Sequence, residues 1–91
     1  MGRRIDFLKE INESLSLIMD GTRQLVELTP KIKDKDLKTI IASAGKDYAK
    51  LNYTFSLLLL SISPDIFKKD KIDSDFDSII KPLKKEFEEL E

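Results

Sequence analysis

The sequence contains no cysteine and no histidine, and each absence excludes a class of chemistry. Without cysteine there is no disulfide framework and no thiolate that could bind a metal or attack a substrate. Without histidine the chain lacks the usual general base of enzymes and the commonest ligand of transition metals. We therefore expect a protein that is not an enzyme, with no catalytic residues, no cofactor site and no metal site.

An excess of charge of one sign and long apolar runs are also missing. The 16 basic side chains are balanced by 17 acidic ones, and a net charge of −1 makes a nucleic-acid partner unexpected. The longest uninterrupted apolar run is Leu57 to Leu60, whereas a helix that spans a bilayer needs about 20 apolar residues. No apolar signal segment follows Arg3 and Arg4, so we expect a cytoplasmic protein.

The composition is that of a single small helical domain. The chain has 91 residues, of which 41% are hydrophobic and 36% are charged, proportions typical of a folded and not of a disordered protein. A domain of this size buries only a little more than about 60% of its unfolded surface, so a partner subunit would add to a limited core.

The strongest pattern is a heptad stripe in the middle of the chain. Apolar residues recur there at alternating steps of four and three: Leu37, Ile41, Ala44, Tyr48, Leu51, Phe55, Leu58 and Ile62. This spacing predicts one long helix over residues 35 to 62. From Tyr53 to Ile62 the helix is apolar nearly all round, so that end has to be covered on every side.

A first helix is predicted over residues 4 to 29, with the apolar stripe Leu8, Ile11, Leu15, Ile18, Thr22 and Leu25. Pro30 ends it, and a short polar connection, with Asp34 or Asp36 as the next N-cap, predicts an antiparallel hairpin. Pairing residues whose numbers sum to 66 brings the two stripes into contact along the hairpin. That register places Gly21 beside Ala42 to Gly45, where two backbones could approach closely.

The last third of the chain predicts a short turn over residues 64 to 68 and a third helix over residues 74 to 90. Ser74 and Asp77 resemble a capping box at its start. Pro82 lies inside the apolar pattern, where its ring and missing N–H predict a kink or a break near residues 81 and 82. The expected fold is therefore all-α, a three-helix bundle made of a long antiparallel helical hairpin and a shorter kinked third helix.

Two clusters of charge resemble ligand sites without completing one. Asp73, Asp75 and Asp77 match the opening of a calcium loop, but Ser78 and Lys84 stand where that loop needs Gly and Glu. The lysines of the last third are interleaved with aspartates, which favours a solvated surface over a phosphate-binding patch. These lysines are Lys68, Lys69, Lys71, Lys81, Lys84 and Lys85.

The third helix is too short to cover a hairpin roughly 40 Å long, so the remaining apolar surface predicts a homodimer. The candidate interface residues are Ile5, Phe7, Met19, Tyr53, Leu57, Leu59 and Leu60. The expected function is that of a non-enzymatic module for protein–protein interaction or structure, self-associating through helix contacts. The alternatives are a small inhibitor or immunity-type protein that holds a toxin or enzyme, and a peripheral membrane-associated protein.

Overall fold

The computed structural model describes the backbone from residue 2 to residue 90 and the side chains from residue 3 to residue 86. It confirms the all-α fold: the chain is 89% helical, with three α-helices and no strand in the part described. The Cα atoms span 51 × 18 × 14 Å, so the bundle is an elongated rod.

The first two helices are joined by a short capped connection. Helix α1 (Gly2–Leu28) leads into a 3₁₀ turn (Thr29–Lys31), and α2 (Lys35–Ile62) follows. Pro30 lies in the opening residues of the 3₁₀ turn, where its missing N–H costs no helical hydrogen bond. Asp34 is the N-cap of α2, since its carboxylate accepts a hydrogen bond from the backbone N–H of Leu37 at 3.1 Å.

A tight turn returns the chain from α2 to α3 (Lys69–Leu90). The Ser63 N–H donates to the Leu59 carbonyl at 2.9 Å, and the Ser63 carbonyl accepts from the N–H groups of Ile66 and Phe67 at 3.2 and 3.1 Å. The Phe67 side chain is almost completely buried and closes this end of the core. The turn thus satisfies its own backbone while it supplies a core residue.

Helix α3 begins at Lys69, ahead of the start at residue 74 that the sequence predicted. Ile72 is buried and precedes Ile79 by two helical turns, so burial of Ile72 extends the helix toward its N-terminus. Ser74, the predicted cap, is an exposed residue inside the helix. Pro82 also lies inside α3, which runs on to Leu90, so the break that was one of two predicted outcomes is not what the structure contains.

The core consists of two clusters of buried side chains, supplied by the three helices and by the turn before α3. One cluster contains Met19, Val26, Ala42, Ala49, Ile79 and Leu83, and the other contains Leu8, Leu15, Phe67 and Ile72. Hydrogen bonds from Arg23 to Ser78 and from Lys71 to Ser16 both join residues that are 55 apart in the sequence. This constant offset shows that α1 and α3 run parallel, with α2 antiparallel to both.

The buried face of α2 is built of small residues, namely Ala42, Gly45, Ala49 and Asn52. A Cβ atom on Gly45 would lie 2.9 Å from Cγ2 of Val26 and 3.5 Å from Cδ1 of Leu83, so the three helices meet at this glycine. A Cβ atom on Gly21 would meet nothing within 4 Å. The predictions that Gly21 marks a close approach and that the heptad stripe of α2 faces α1 are therefore wrong. Because α1 and α3 both pack on the small face of α2, the stripe is turned outward.

Candidate functional site

The main exposed feature of the molecule is an apolar surface on α2. It consists of the heptad residues Leu37, Ile41, Ala44, Tyr48, Leu51, Phe55, Leu58 and Ile62 together with Ile40, and we refer to it as the α2 stripe. Ile41 and Ala44 are half-buried, and the exposed fractions of the other seven residues lie between 44% and 67%.

The α2 stripe lies on the side of the bundle away from α3. Tyr53 is the α2 residue whose ring and hydroxyl contact α3. At about 100° per residue, the seven exposed members of the stripe lie roughly 140–180° around α2 from Tyr53. Helix α3 therefore covers the opposite side of α2 and leaves the stripe accessible along the length of the helix.

Helix α1 extends this surface with two large side chains. Phe7 and Ile18 are both at least half exposed. They lie roughly 160–180° around α1 from Ser16, whose hydroxyl contacts Lys71 of α3 at 3.3 Å. Phe7 and Ile18 are thus also turned away from α3, and together with the α2 stripe they make up what we call the open face.

The open face is comparable in size to the largest apolar patches that small monomeric proteins expose. Fully burying a Leu, Ile or Phe side chain is worth about 1.5–3 kcal/mol at about 25 cal/mol per Å², so the seven half-exposed residues of the α2 stripe together present on the order of several hundred Å² of apolar surface. The largest apolar patch on a typical monomer is about 300–600 Å² and is often functional. The open face is therefore the strongest candidate for a functional surface.

The residues that the sequence predicted as an interface are divided among three environments. Ile5 and Phe7 are exposed, but Ile5 lies only about 20° around α1 from Ser16, on the α3 side. Met19 is buried in the core, where no partner can reach it without unfolding. Tyr53, Leu57, Leu59 and Leu60 are half-buried and pack against the cluster that contains Phe67. Of the predicted set, only Phe7 lies on the open face.

A polar cluster ties α2 to α3 on the covered side. The Tyr53 hydroxyl donates to Asp73 Oδ1 at 2.9 Å, and Lys69 Nζ donates to the two Asp73 oxygens at 2.6 and 2.7 Å. The Tyr53 ring also packs on Phe76, with centroids 4.7 Å apart and the planes tilted by 44°. These contacts position α3 against α2 near the middle of the bundle.

The same hydrogen bonds fix the charges of this cluster. The Lys69 ammonium, with a further contribution from the Tyr53 hydroxyl, holds the pKa of the Asp73 carboxyl below its ordinary value. The hydrogen bond to Asp73 raises the pKa of Lys69. Since one group stays ionised and the other protonated near neutral pH, neither is poised to transfer a proton there. The cluster is suited to holding two helices together.

The three aspartates of the calcium-like motif are placed along a helix instead of a loop. Asp73 pairs with Lys69, while Asp75 lies 3.5 Å from Lys71 Nζ and 3.6 Å from the guanidinium of Arg23. Within the described residues, no group of three acidic, histidine or cysteine side chains is arranged to hold a metal ion. Ion pairs along α3 and to α1 engage Asp73 and Asp75.

A nearly buried ion pair fastens the far end of α3 to the start of α2. Lys38 Nζ lies 3.1 Å from Glu86 Oε2, and the two side chains are only 19% and 9% exposed. The contact is an ion pair that lacks hydrogen-bond alignment, and Glu86 Oε2 therefore accepts no hydrogen bond. Charge attraction at this position is strengthened by low solvent access.

A small, partly open pocket of about 30 Å³ lies between the helices, lined mainly by apolar side chains such as Leu15 and Phe67, with polar ones such as Asn12, Ser16 and Asn52 beside them. This volume is comparable to the space of one water molecule in the liquid. A space of this size leaves no room for a substrate.

None of the described helices is long and apolar enough to cross a membrane. The chain matches no protein-family model, no curated protein and no solved structure. A proposal about its function therefore depends on its own geometry, in which the open face is the dominant feature.

Proposed function

We propose that this protein is a non-enzymatic interaction module that works by burying its open face against another protein, and that it self-associates there. The observation that carries this proposal is the α2 stripe, a continuous row of large apolar side chains on the side of the bundle away from α3. Leaving such a row in water forgoes about 25 cal/mol for each Å² of apolar surface. A protein partner that covers the row recovers part of that free energy.

The polar groups of the chain support a role without catalysis. Asp73, Lys69 and Tyr53 satisfy one another, and Asp75 is paired with Arg23 and Lys71. An enzyme would instead be expected to keep a perturbed acid or base in a cleft, free to meet a substrate. Asp73 and Asp75 of the calcium-like motif make contacts that join α3 to α2 and to α1.

Leu51→Lys is the variant that tests this function. Leu51 is 67% exposed at the centre of the α2 stripe, so the change should leave the folded monomer intact. In an associated state it would bury an ammonium group, and we expect the dissociation constant to rise by about 100-fold, or roughly 3 kcal/mol. Sedimentation velocity at several protein concentrations measures the association, and circular dichroism verifies that helix content is unchanged.

Ile5→Lys provides the control, because Ile5 is also about half exposed but lies on the α3 side of α1. It should self-associate as the wild type does. The proposal would be contradicted if the wild type stayed monomeric at about 100 μM, well above the micromolar dissociation constants at the weak end of specific interfaces. Wild-type monomer that co-sediments with anionic lipid vesicles, with loss of binding in Leu51→Lys, would instead establish a membrane surface as the partner.

A further inference from the structure

We infer that the occupant of the open face is a second copy of this chain, whose α2 lies antiparallel to the first along the α2 stripe. The two-fold axis passes between residues 49 and 50. This inference rests on the proposed function and adds the orientation and register of the partner. Four features of the chain lead to it: the spacing of the stripe, the sizes of its side chains, its flanking charges and its area.

The spacing of the heptad residues is the same in both directions along α2. From Leu37 to Ile62 the steps are four, three, four, three, four, three and four. When two copies lie antiparallel, residues whose numbers sum to 99 therefore fall at the same level. The resulting layers pair Leu37 with Ile62, Ile41 with Leu58, Ala44 with Phe55, and Tyr48 with Leu51. A two-fold interface requires this kind of self-complementary surface.

Side-chain sizes distinguish the antiparallel from the parallel arrangement. In the antiparallel register the smallest residue of the stripe, Ala44, faces the large Phe55 of the other copy. A parallel pair in register would place Ala44 against Ala44 and Phe55 against Phe55, which leaves a void at one level and crowds the other. Interiors are close-packed and both voids and overpacking are costly, so large facing small is favoured.

The flanks of the stripe carry no like charges that would meet across this seam. The residues that border the heptad row on its solvent side are Ile40, already counted in the α2 stripe, and Asp47, Thr54 and Ser61, at intervals of seven. In the antiparallel register this flank meets the same flank of the other copy, so that Asp47 lies beside Thr54 and Ile40 beside Ser61, each pair offset by about 3 Å along the axis from exact level. The other flank is occupied within each molecule, because Gly45 and Asn52 are buried there. The antiparallel alignment also places the helix dipoles favourably.

The available area and the position of α3 both permit this pairing. The α2 stripe offers several hundred Å² of apolar surface per copy, in the range of the smaller specific interfaces, which bury less than about 1,200 Å² in total. Since α3 lies roughly half a turn around α2 from the stripe, it is on the outer side of both copies and does not obstruct their approach. Phe7 and Ile18 of α1 border the same seam and add to the buried surface.

Disulfide trapping tests the register, and the cysteine-free sequence makes it unambiguous. Leu37→Cys and Ile62→Cys proteins are prepared separately, one of them carrying a mass label, then mixed, allowed to exchange and mildly oxidised. The two positions share a layer, whereas two copies of residue 37 lie about 37 Å apart, beyond disulfide reach. We expect at least tenfold more disulfide-linked dimer in the mixture than in either protein alone. Ile41→Cys with Leu58→Cys should give the same result.

The outcomes separate this inference from the proposed function. Efficient linking of Leu37→Cys to itself, with dimerisation that Leu51→Lys abolishes, would overturn the antiparallel register and leave the interaction module intact. A dimer that forms no disulfide in either mixture and survives Leu51→Lys would place the contact elsewhere. Wild-type protein that is monomeric at about 100 μM would remove both the second copy and the proposed self-association.

Discussion

Gly21 and Gly45 both lie inside helices, but their surroundings differ completely. Gly45 is enclosed by Val26 and Leu83, while Gly21 is exposed with open space where a Cβ atom would be. Glycine in a helix interior costs about 1 kcal/mol relative to alanine through backbone entropy. Only at Gly45 does packing compensate for that cost.

The two glycines therefore predict opposite responses to alanine. Gly21→Ala should raise the free energy of unfolding by about 1 kcal/mol through helix propensity. Gly45→Ala gains the same propensity but places its methyl group 2.9 Å from Cγ2 of Val26, a β-branched side chain with little rotamer freedom in a helix. Overpacking costs about 1–3 kcal/mol, so the net change should be a loss of about 1 kcal/mol.

Urea unfolding of both variants in the Leu51→Lys background measures these values without a contribution from association. Each is compared with Leu51→Lys alone. Stabilisation of similar size by both substitutions would mean that Val26 moves aside, and that the three helices are not held at contact distance by Gly45.

Asp73 provides a second residue-scale prediction, because its ionisation is controlled by two identified donors. Loss of the Tyr53 hydroxyl in Tyr53→Phe should raise the pKa of Asp73 toward its ordinary value, and Lys69→Met should raise it further, since Lys69 is the larger cause of the depression. Carboxyl titration by NMR measures both shifts. Tyr48→Phe removes a hydroxyl from the open face and should leave the Asp73 pKa unchanged.

The sign of the associated pH effect follows from this depressed pKa. The Asp73 interaction stabilises the fold above the unfolded-state pKa of about 3.9, and the contribution is lost as the pH falls through the lower folded-state pKa. The difference in the free energy of unfolding between wild type and Tyr53→Phe should therefore become smaller at acid pH. An Asp73 pKa that is identical in wild type, Tyr53→Phe and Lys69→Met would contradict the hydrogen bonds assigned to this cluster.

At the scale of helices, apolar periodicity predicted the three helices and the direction of the first connection. It did not predict which face of α2 is buried. Two rows run along this helix: the large residues of the α2 stripe, and the small row of Ala42, Gly45, Ala49 and Asn52, also spaced by three and four. Periodicity favours the larger row because transfer free energy grows with area. Which row is buried depends on α3, because α3 can pack closely on α2 only where the side chains of α2 are small.

The start of α3 illustrates a second limit of local signals. Ser74 and Asp77 resemble a helix start, and a capping interaction is worth about 1 kcal/mol. Burial of a single Ile side chain contributes about 1.5–3 kcal/mol, and Ile72 is buried against Leu8, Leu15 and Phe67. The tertiary contact outweighs the local cap, so the helix begins earlier. The predicted interface residues did not include the α2 stripe for the same reason, because the exposed face of α2 can be identified only when the position of α3 is known.

At the scale of the whole molecule, the bundle is a rod with α3 along one side and the open face along the other. Its stability in isolation comes from a core in which the fully buried residues of α2 are all small. Covering the open face with a second copy adds a layer of large side chains to that core. Folding and association are then linked, because a dimer forms only from folded chains.

This linkage predicts that the melting temperature rises with protein concentration. Raising the concentration about 30-fold should raise the unfolding temperature of the wild type by several degrees, since mass action stabilises an associated folded state. Leu51→Lys should melt at one temperature throughout that range, because its open face no longer pairs. Ile5→Lys should retain the concentration dependence. Differential scanning calorimetry of the three proteins at the same set of concentrations measures these melting temperatures. A wild-type melting temperature independent of concentration would show that pairing through the open face contributes nothing to the stability of the folded chain.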